Sequence, residues 1–155
     1  MGLFQSWNSE AALAHLIAMA TAYMLALPIG WNREREERSA GLRTFPLVAM
    51  AACGFVIMAI EVLGMASPQH SRIMEGLMTG IGFIGGGAIL KQGDRAKGTA
   101  TAASLWATGA IGAAVGYGQL DIAVILSLVT VLTLVVMTPL RKVVQERTSE
   151  DRDEV

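Results

Sequence analysis

Charge is scarce in this chain. Only 16% of its 155 residues are Asp, Glu, Lys or Arg, against about a quarter in an average soluble domain. Cysteine is nearly absent as well: the single Cys53, set in the apolar run 51–55, excludes an intrachain disulfide and reads as a small core residue. No basic surplus exists either. A net charge of -1, with no aromatic-plus-basic surface, excludes nucleic acid as a partner. Walker and H-E-x-x-H patterns are missing, and nothing pairs a nucleophile with a base, so the reading is non-enzymatic and calls for no cofactor. His15 and His70 share no ligand spacing and read as interfacial polar residues.

What the chain has in quantity is long apolar runs. Residues 11–29, 45–65, 73–90, 99–117 and 122–140 are each 18 to 21 residues long, reaching about 27 to 32 Å as helices, the thickness of a hydrocarbon core. In lipid the backbone must satisfy itself, and unbroken apolar runs lack the alternation of a barrel, so these are helices. The sequence therefore predicts one all-α, polytopic domain over 1–140 with five transmembrane helices, and a polar tail over 141–155 that is frayed. Of the 25 charged residues, only Glu61 and Glu75 fall inside the apolar runs. Lys and Arg distribute 0, 4, 1, 3, 0, 4 over successive connections and termini. The positive-inside rule then places the N-terminus outside and the 31–44 loop, the 91–98 loop and the tail in the cytoplasm. The first run has no Lys or Arg before it and reads as a retained helix rather than a signal peptide. Trp7 and Trp31 flank that run as headgroup aromatics, and Trp106 reads as a packing residue.

Residues 80–85 match G-x-G-x-x-G letter for letter. They lie inside a membrane-length run with no acid between Asp94 and Asp121, so the dinucleotide reading fails. Helical spacing offers a better account. Arg72, Glu75, Thr79, Gly82 and Gly86 follow one another at 3, 4, 3 and 4, a small and polar stripe on the third helix. Thr101, Ser104, Thr108, Gly112 and Gly116 form a comparable stripe on the fourth. Two readings stay open: close helix packing through small residues, or a helix interrupted around Gly85, Gly86 and Gly87 that offers carbonyls to an ion or solute. Gly80 belongs to the same glycine series.

Two polar clusters also have two readings each. The loop from Asn32 to Arg38, which includes Arg35, with Gly41, Arg43 and Thr44 after it, is either a salt-bridged interfacial segment with anionic-lipid contacts or a polar site in which Arg33, Glu34 and Arg43 fold back into the mouth of the bundle. At the other end Arg72, Glu75 and Glu61 form either an ion-paired cluster or a divalent-cation or proton site, with Glu61 and Glu75 the candidate metal ligands.

Strings 30–35, 40–44, 72–73, 80–87 and 101–106, in this order and spacing, resemble the MgtC/SapB membrane protein family over roughly residues 11–140. The resemblance implies a bacterial inner (plasma) membrane location, a part in magnesium homeostasis and low-magnesium survival, and a link to virulence. It also implies action on membrane partners, which in one branch of the family is restraint of the F-type ATP synthase. Gln69 and Gly76 stand where the family usually has Asp and Gln, and Ala100 stands where some relatives have a polar side chain. The virulence-type members continue into a C-terminal cytoplasmic domain, before which this chain is expected to stop. The expectation is a regulator embedded in the lipid bilayer, a homo-oligomer through its glycine faces with a dimer favoured. A small transporter or channel for a cation or solute is the alternative.

Overall fold

In a computed structural model, residues 8–36, 40–92 and 95–153 are described, without the side chains of 92, 95 and 138–153. Five helices and one small ribbon follow in order: α1 (Ser9–Arg35), α2 (Thr44–Leu63), α3 (His70–Gly87), β1 (Leu90–Gln92), β2 (Arg95–Lys97), α4 (Thr99–Gly116) and α5 (Leu120–Asp153).

The boundaries follow from local chemistry. Asn8 starts α1 because its Oδ1 accepts from the N–H groups of Glu10 and Ala11, at 3.1 and 3.3 Å. Glu10 then complements the positive helix end, and Arg33 and Arg35 complement the negative one. Gly64 stops α2 with φ 76° while its N–H reaches Ile60 O at 2.8 Å. Gly98, at φ 93°, turns the ribbon into α4 where any Cβ would strike Ala88 O. The ribbon is antiparallel, with Leu90 opposite Lys97 and Gln92 opposite Arg95.

α4 is the central helix and packs against all four others. Its glycines set the distances. A Cβ at Gly112 would meet the Ala49 backbone, one at Gly116 the Val56 side chain, and one at Gly109 the Ile81 side chain. α4 thus runs parallel to α2 and antiparallel to α3, since 112 and 116 meet 49 and 56 while 85 and 109 meet 102 and 81. Small residues permit this closeness, and in lipid such packing is the main attraction between helices. Ser127 Oγ donates to Leu25 O at 2.7 Å and ties α5 to α1. The core joins Ala22, Ile29, Phe45, Cys53, Leu105 and Ile111.

The outside of the bundle is apolar. Leu16, Phe55, Val62, Phe83 and Leu132 are all more than half exposed, a continuous greasy exterior that water would not tolerate but lipid does. α1, α2 and residues 120–137 of α5 are long and apolar enough to cross a membrane. α3 and α4, each 18 residues, do not reach that standard: α3 carries Arg72 and Glu75, and α4 carries four hydroxyls, of which Thr101, Ser104 and Thr108 are sheltered by its central position while Thr99 is exposed.

Several sequence expectations change. The all-α reading gains the β1–β2 ribbon, because Leu90 leaves the third helix and pairs with Lys97. α3 occupies 70–87 rather than 73–90. The tail expected to fray continues α5 as helix to Asp153. Trp106 is half exposed on the outer side of α4 rather than packed. Trp7, Glu37 and Arg38 lie outside the described residues.

Candidate functional site

The end of the bundle where α1 stops and α2 begins holds the best-built polar arrangement. Gly30 on α1 lies under the returning chain: an added Cβ would meet Leu42 Cα at 3.2 Å and Gly41 O at 3.3 Å. Gly41 in turn leaves room for the Glu34 carboxylate, whose Oε2 accepts from Leu42 N–H at 3.1 Å. Gly41 O then accepts from Thr44 N and Phe45 N, at 3.0 and 3.2 Å, and opens α2. Strings 30–35 and 40–44 therefore clasp each other, with glycines on both sides of the contact and one carboxylate as its pin.

The clasp sorts the charges. Arg33 is buried at 3% exposure, with Nη2 donating to Asn32 Oδ1 at 2.7 Å. Glu34, Arg35 and Arg43 stay exposed, and Thr44 is half-buried. A guanidinium inside the wall of a membrane bundle is a costly placement, retained where it positions or recognises something. Of the cluster predicted to enter the mouth, only Arg33 does so; Arg43 sits just ahead of α2 and faces out.

On α4, Thr101 and Ser104 are buried at the same end of the bundle. Ser104 Oγ donates to Ala100 O at 2.6 Å, and Thr108 Oγ1 donates to Ser104 O at 2.8 Å. Those two hydroxyls are spent on their own helix, as isolated membrane hydroxyls usually are.

The α3 stripe lies elsewhere than the packing reading places it. Arg72, Glu75, Thr79, Gly82 and Gly86 are all exposed. α3 meets α4 instead through Ile81 and Gly85, the latter with Ala102 O 3.3 Å from where a Cβ would be. A Cβ at Gly80, Gly82, Gly86 or Gly87 would meet nothing within 4 Å. The helix is also continuous through Gly87, so the glycine run ends it rather than interrupting it.

At the opposite end, no ion pair joins Arg72 to Glu75 or Glu61 among the described residues. Glu61 pairs with His15 Nε2 at 3.7 Å, both partly solvent-facing, and no group of three His, Cys, Asp or Glu residues that could hold a metal occurs among the described residues. An unforeseen latch is there instead. His70 Nε2 lies 3.0 Å from Gly64 O and Nδ1 lies 3.0 Å from Tyr117 Oη. A carbonyl can only accept, so Nε2 carries the proton and Nδ1 accepts from the phenol. The two rings meet edge to face at 5.6 Å. This joins the end of α2, the start of α3 and the end of α4, and burial pushes the Tyr117 phenol above its ordinary range. Separations of 6 and 47 residues leave no local signal by which a sequence could announce it.

The chain resembles known proteins in sequence. Residues 19–143 match the model of the MgtC family. The chain is 37% identical over 134 residues to Protein MgtC of Brucella abortus, covering 86% of this chain and 56% of that one. It is 36% identical over 143 residues to Protein SrpB of Synechococcus elongatus, covering 84% and 79%. With Protein MgtC of Salmonella typhimurium it shares 37% identity over 106 residues, 68% of this chain and 44% of the other. The chain spans about half the length of the MgtC proteins it matches. No solved structure matches it. The matched span takes in the clasp, the glycine helix and the whole of α4, and the chain belongs to the MgtC family.

Proposed function

We propose that this protein is a non-enzymatic, multi-pass component of the bacterial inner membrane. It serves magnesium and ion homeostasis by contact with membrane partners. All five helices cross the bilayer, with the N-terminus outside and the clasp, the β1–β2 ribbon and the tail in the cytoplasm, as the basic residues of those segments direct. The observation that carries the reading is the clasp: it fixes a buried Arg33 inside the wall while presenting Arg35 and Arg43 outward. That sets two exposed cations beside the Glu34 carboxylate at the membrane surface, fit to hold an acidic segment of a partner. The family's low-magnesium role supports the physiology.

A transport pathway has less support. The α3 stripe that would line it faces outward, and one copy supplies no wall on that side. A homodimer over that face would supply one, so flux and oligomeric state are measured together.

The test is growth of a deletion strain in limiting magnesium. Complementation by the wild type, with loss on Arg33→Ala or Arg43→Ala at equal membrane abundance, is the expected result. Crosslinking from position 43 should recover a membrane partner, for which the F-type ATP synthase is the first candidate. Full rescue by Arg43→Ala, or cation flux in liposomes of the pure protein that Glu75→Ala abolishes, would overturn the regulator in favour of a transporter.

A further inference from the structure

α2 and α3 are successive helices, yet they pack far less closely with each other than either does with α4. A groove of about 800 Å³ opens between them, a volume in the range of built ligand sites. Its wall is almost wholly apolar, with Ala52 and Ala59 on α2 facing Gly76, Gly80 and Ile81 on α3, and Arg72 closes one end. The lining of α2 extends from Val48 to Leu63, about 22 Å of helix and longer than one leaflet's half of a ~30 Å core. Gly76 and Gly80 pack against nothing, so their missing side chains widen the floor rather than bring helices together.

The charge pattern selects the occupant. Arg72 is the one charged residue in the lining, and its guanidinium makes no ion pair or hydrogen bond among the described residues. Glu75 lies outside the lining, and Glu61 is turned to His15 on α1. A long apolar trough with one unneutralised cation at its mouth complements an amphiphile with an anionic head. We infer that the α2–α3 groove holds an anionic glycerophospholipid, one acyl chain lying between the two helices and the phosphate on Arg72. Guanidinium is suited to this because its planar fork meets two phosphate oxygens at once. A second copy of the chain fits less well, since a symmetric pairing through the groove would enclose two Arg72 side chains with no carboxylate from the lining.

The full-length protein in neutral detergent, titrated with phosphatidylglycerol or phosphatidylcholine and observed by native mass spectrometry, tests the assignment. One phosphatidylglycerol per protomer is expected, held about tenfold less tightly by Arg72→Gln, the loss of one charge-assisted hydrogen-bonded contact. Arg72→Lys should fall between. Gly80→Leu fills the trough without touching the cation and should remove binding. Both sites face open space, so unchanged helicity and melting will show that the variants fold. Inorganic phosphate should not compete, which separates a lipid site from a simple anion site. Equal retention of phosphatidylcholine, wild-type affinity in Arg72→Gln, or a Gly80→Cys disulfide joining two copies in native membranes would each overturn the proposal, the last by giving the groove to a second protomer.

Discussion

Gly112 and Gly82 are both helix-interior glycines of a membrane bundle, and adding one methyl group to each should have opposite effects. At Gly112 the new Cβ would overlap Ala49 O and come within 2.8 and 2.9 Å of Ala49 C and Cα. These are backbone atoms of a neighbouring helix and cannot rotate away. α2 and α4 would have to separate along the closest interface of the bundle, and overpacking of this kind typically costs about 1 to 3 kcal/mol, with a backbone clash at the upper end. At Gly82 the Cβ meets nothing within 4 Å, so Gly82→Ala gains only the helix preference of alanine, about 0.5 to 1 kcal/mol. The two variants should therefore differ by about 3 kcal/mol. The assay is reversible unfolding of the purified protein in mixed micelles of a mild and a denaturing detergent, followed by helical circular dichroism. Equal destabilisation by both substitutions would refute the reasoning, and would mean that the Gly82 face is covered by another copy.

Three further outcomes follow from the same contacts. Glu34→Gln keeps an acceptor for Leu42 N–H and should lose under about 1 kcal/mol, whereas Gly41→Ala forces the carboxylate out and should cost about 1 to 3 kcal/mol, both read by the same unfolding assay. Tyr117→Phe removes the donor to His70 and should cost about 1 kcal/mol at neutral pH. Because the Tyr117 phenol is raised in the fold, wild-type stability should decline as pH climbs above the ordinary tyrosine value of about 10. Tyr117→Phe should lack that share of the decline in a pH series of melts. Ser127→Ala should loosen α5 from α1 by about 0.6 kcal/mol, the usual worth of an interhelical hydrogen bond in a membrane, seen as faster amide exchange in α5.

The helices were legible in the sequence because membrane length and apolar character are properties of consecutive residues. The direction each face points was not. Arg72, Glu75, Thr79, Gly82 and Gly86 share a stripe as the spacing says, but the pattern is the same whether the stripe faces a helix or lipid. What decides is Ile81 and Gly85, one position off that stripe, seating against Gly109 and Ala102. The clasp was half legible: strings 30–35 and 40–44 stood out, but burial of Arg33 and exposure of Arg43 depend on how Gly30 and Gly41 let two backbones meet. The ribbon at 90–97 has no signature in the sequence because three-residue strands carry no usable periodicity. His70 and Tyr117 meet only through tertiary structure.

A division of labour among the small and polar residues follows from these contacts. On α4, Gly109, Gly112 and Gly116 each have a neighbour where a side chain would go, and Ser104 and Thr108 each donate to a carbonyl of their own helix. Such groups are consumed by folding and offer a partner nothing. On α3, Gly76, Gly80, Gly82 and Gly86 have no such neighbour, and Arg72, Glu75 and Thr79 are exposed. Interior glycines cost helix stability relative to alanine at about 0.5 to 1 kcal/mol each, and a fold that needed none of these four for its own packing would be steadier without them. Their presence on one open helix therefore argues for an occupant from outside the single chain. α3, rather than the more deeply packed α4, is where substitutions should alter binding while leaving the fold intact.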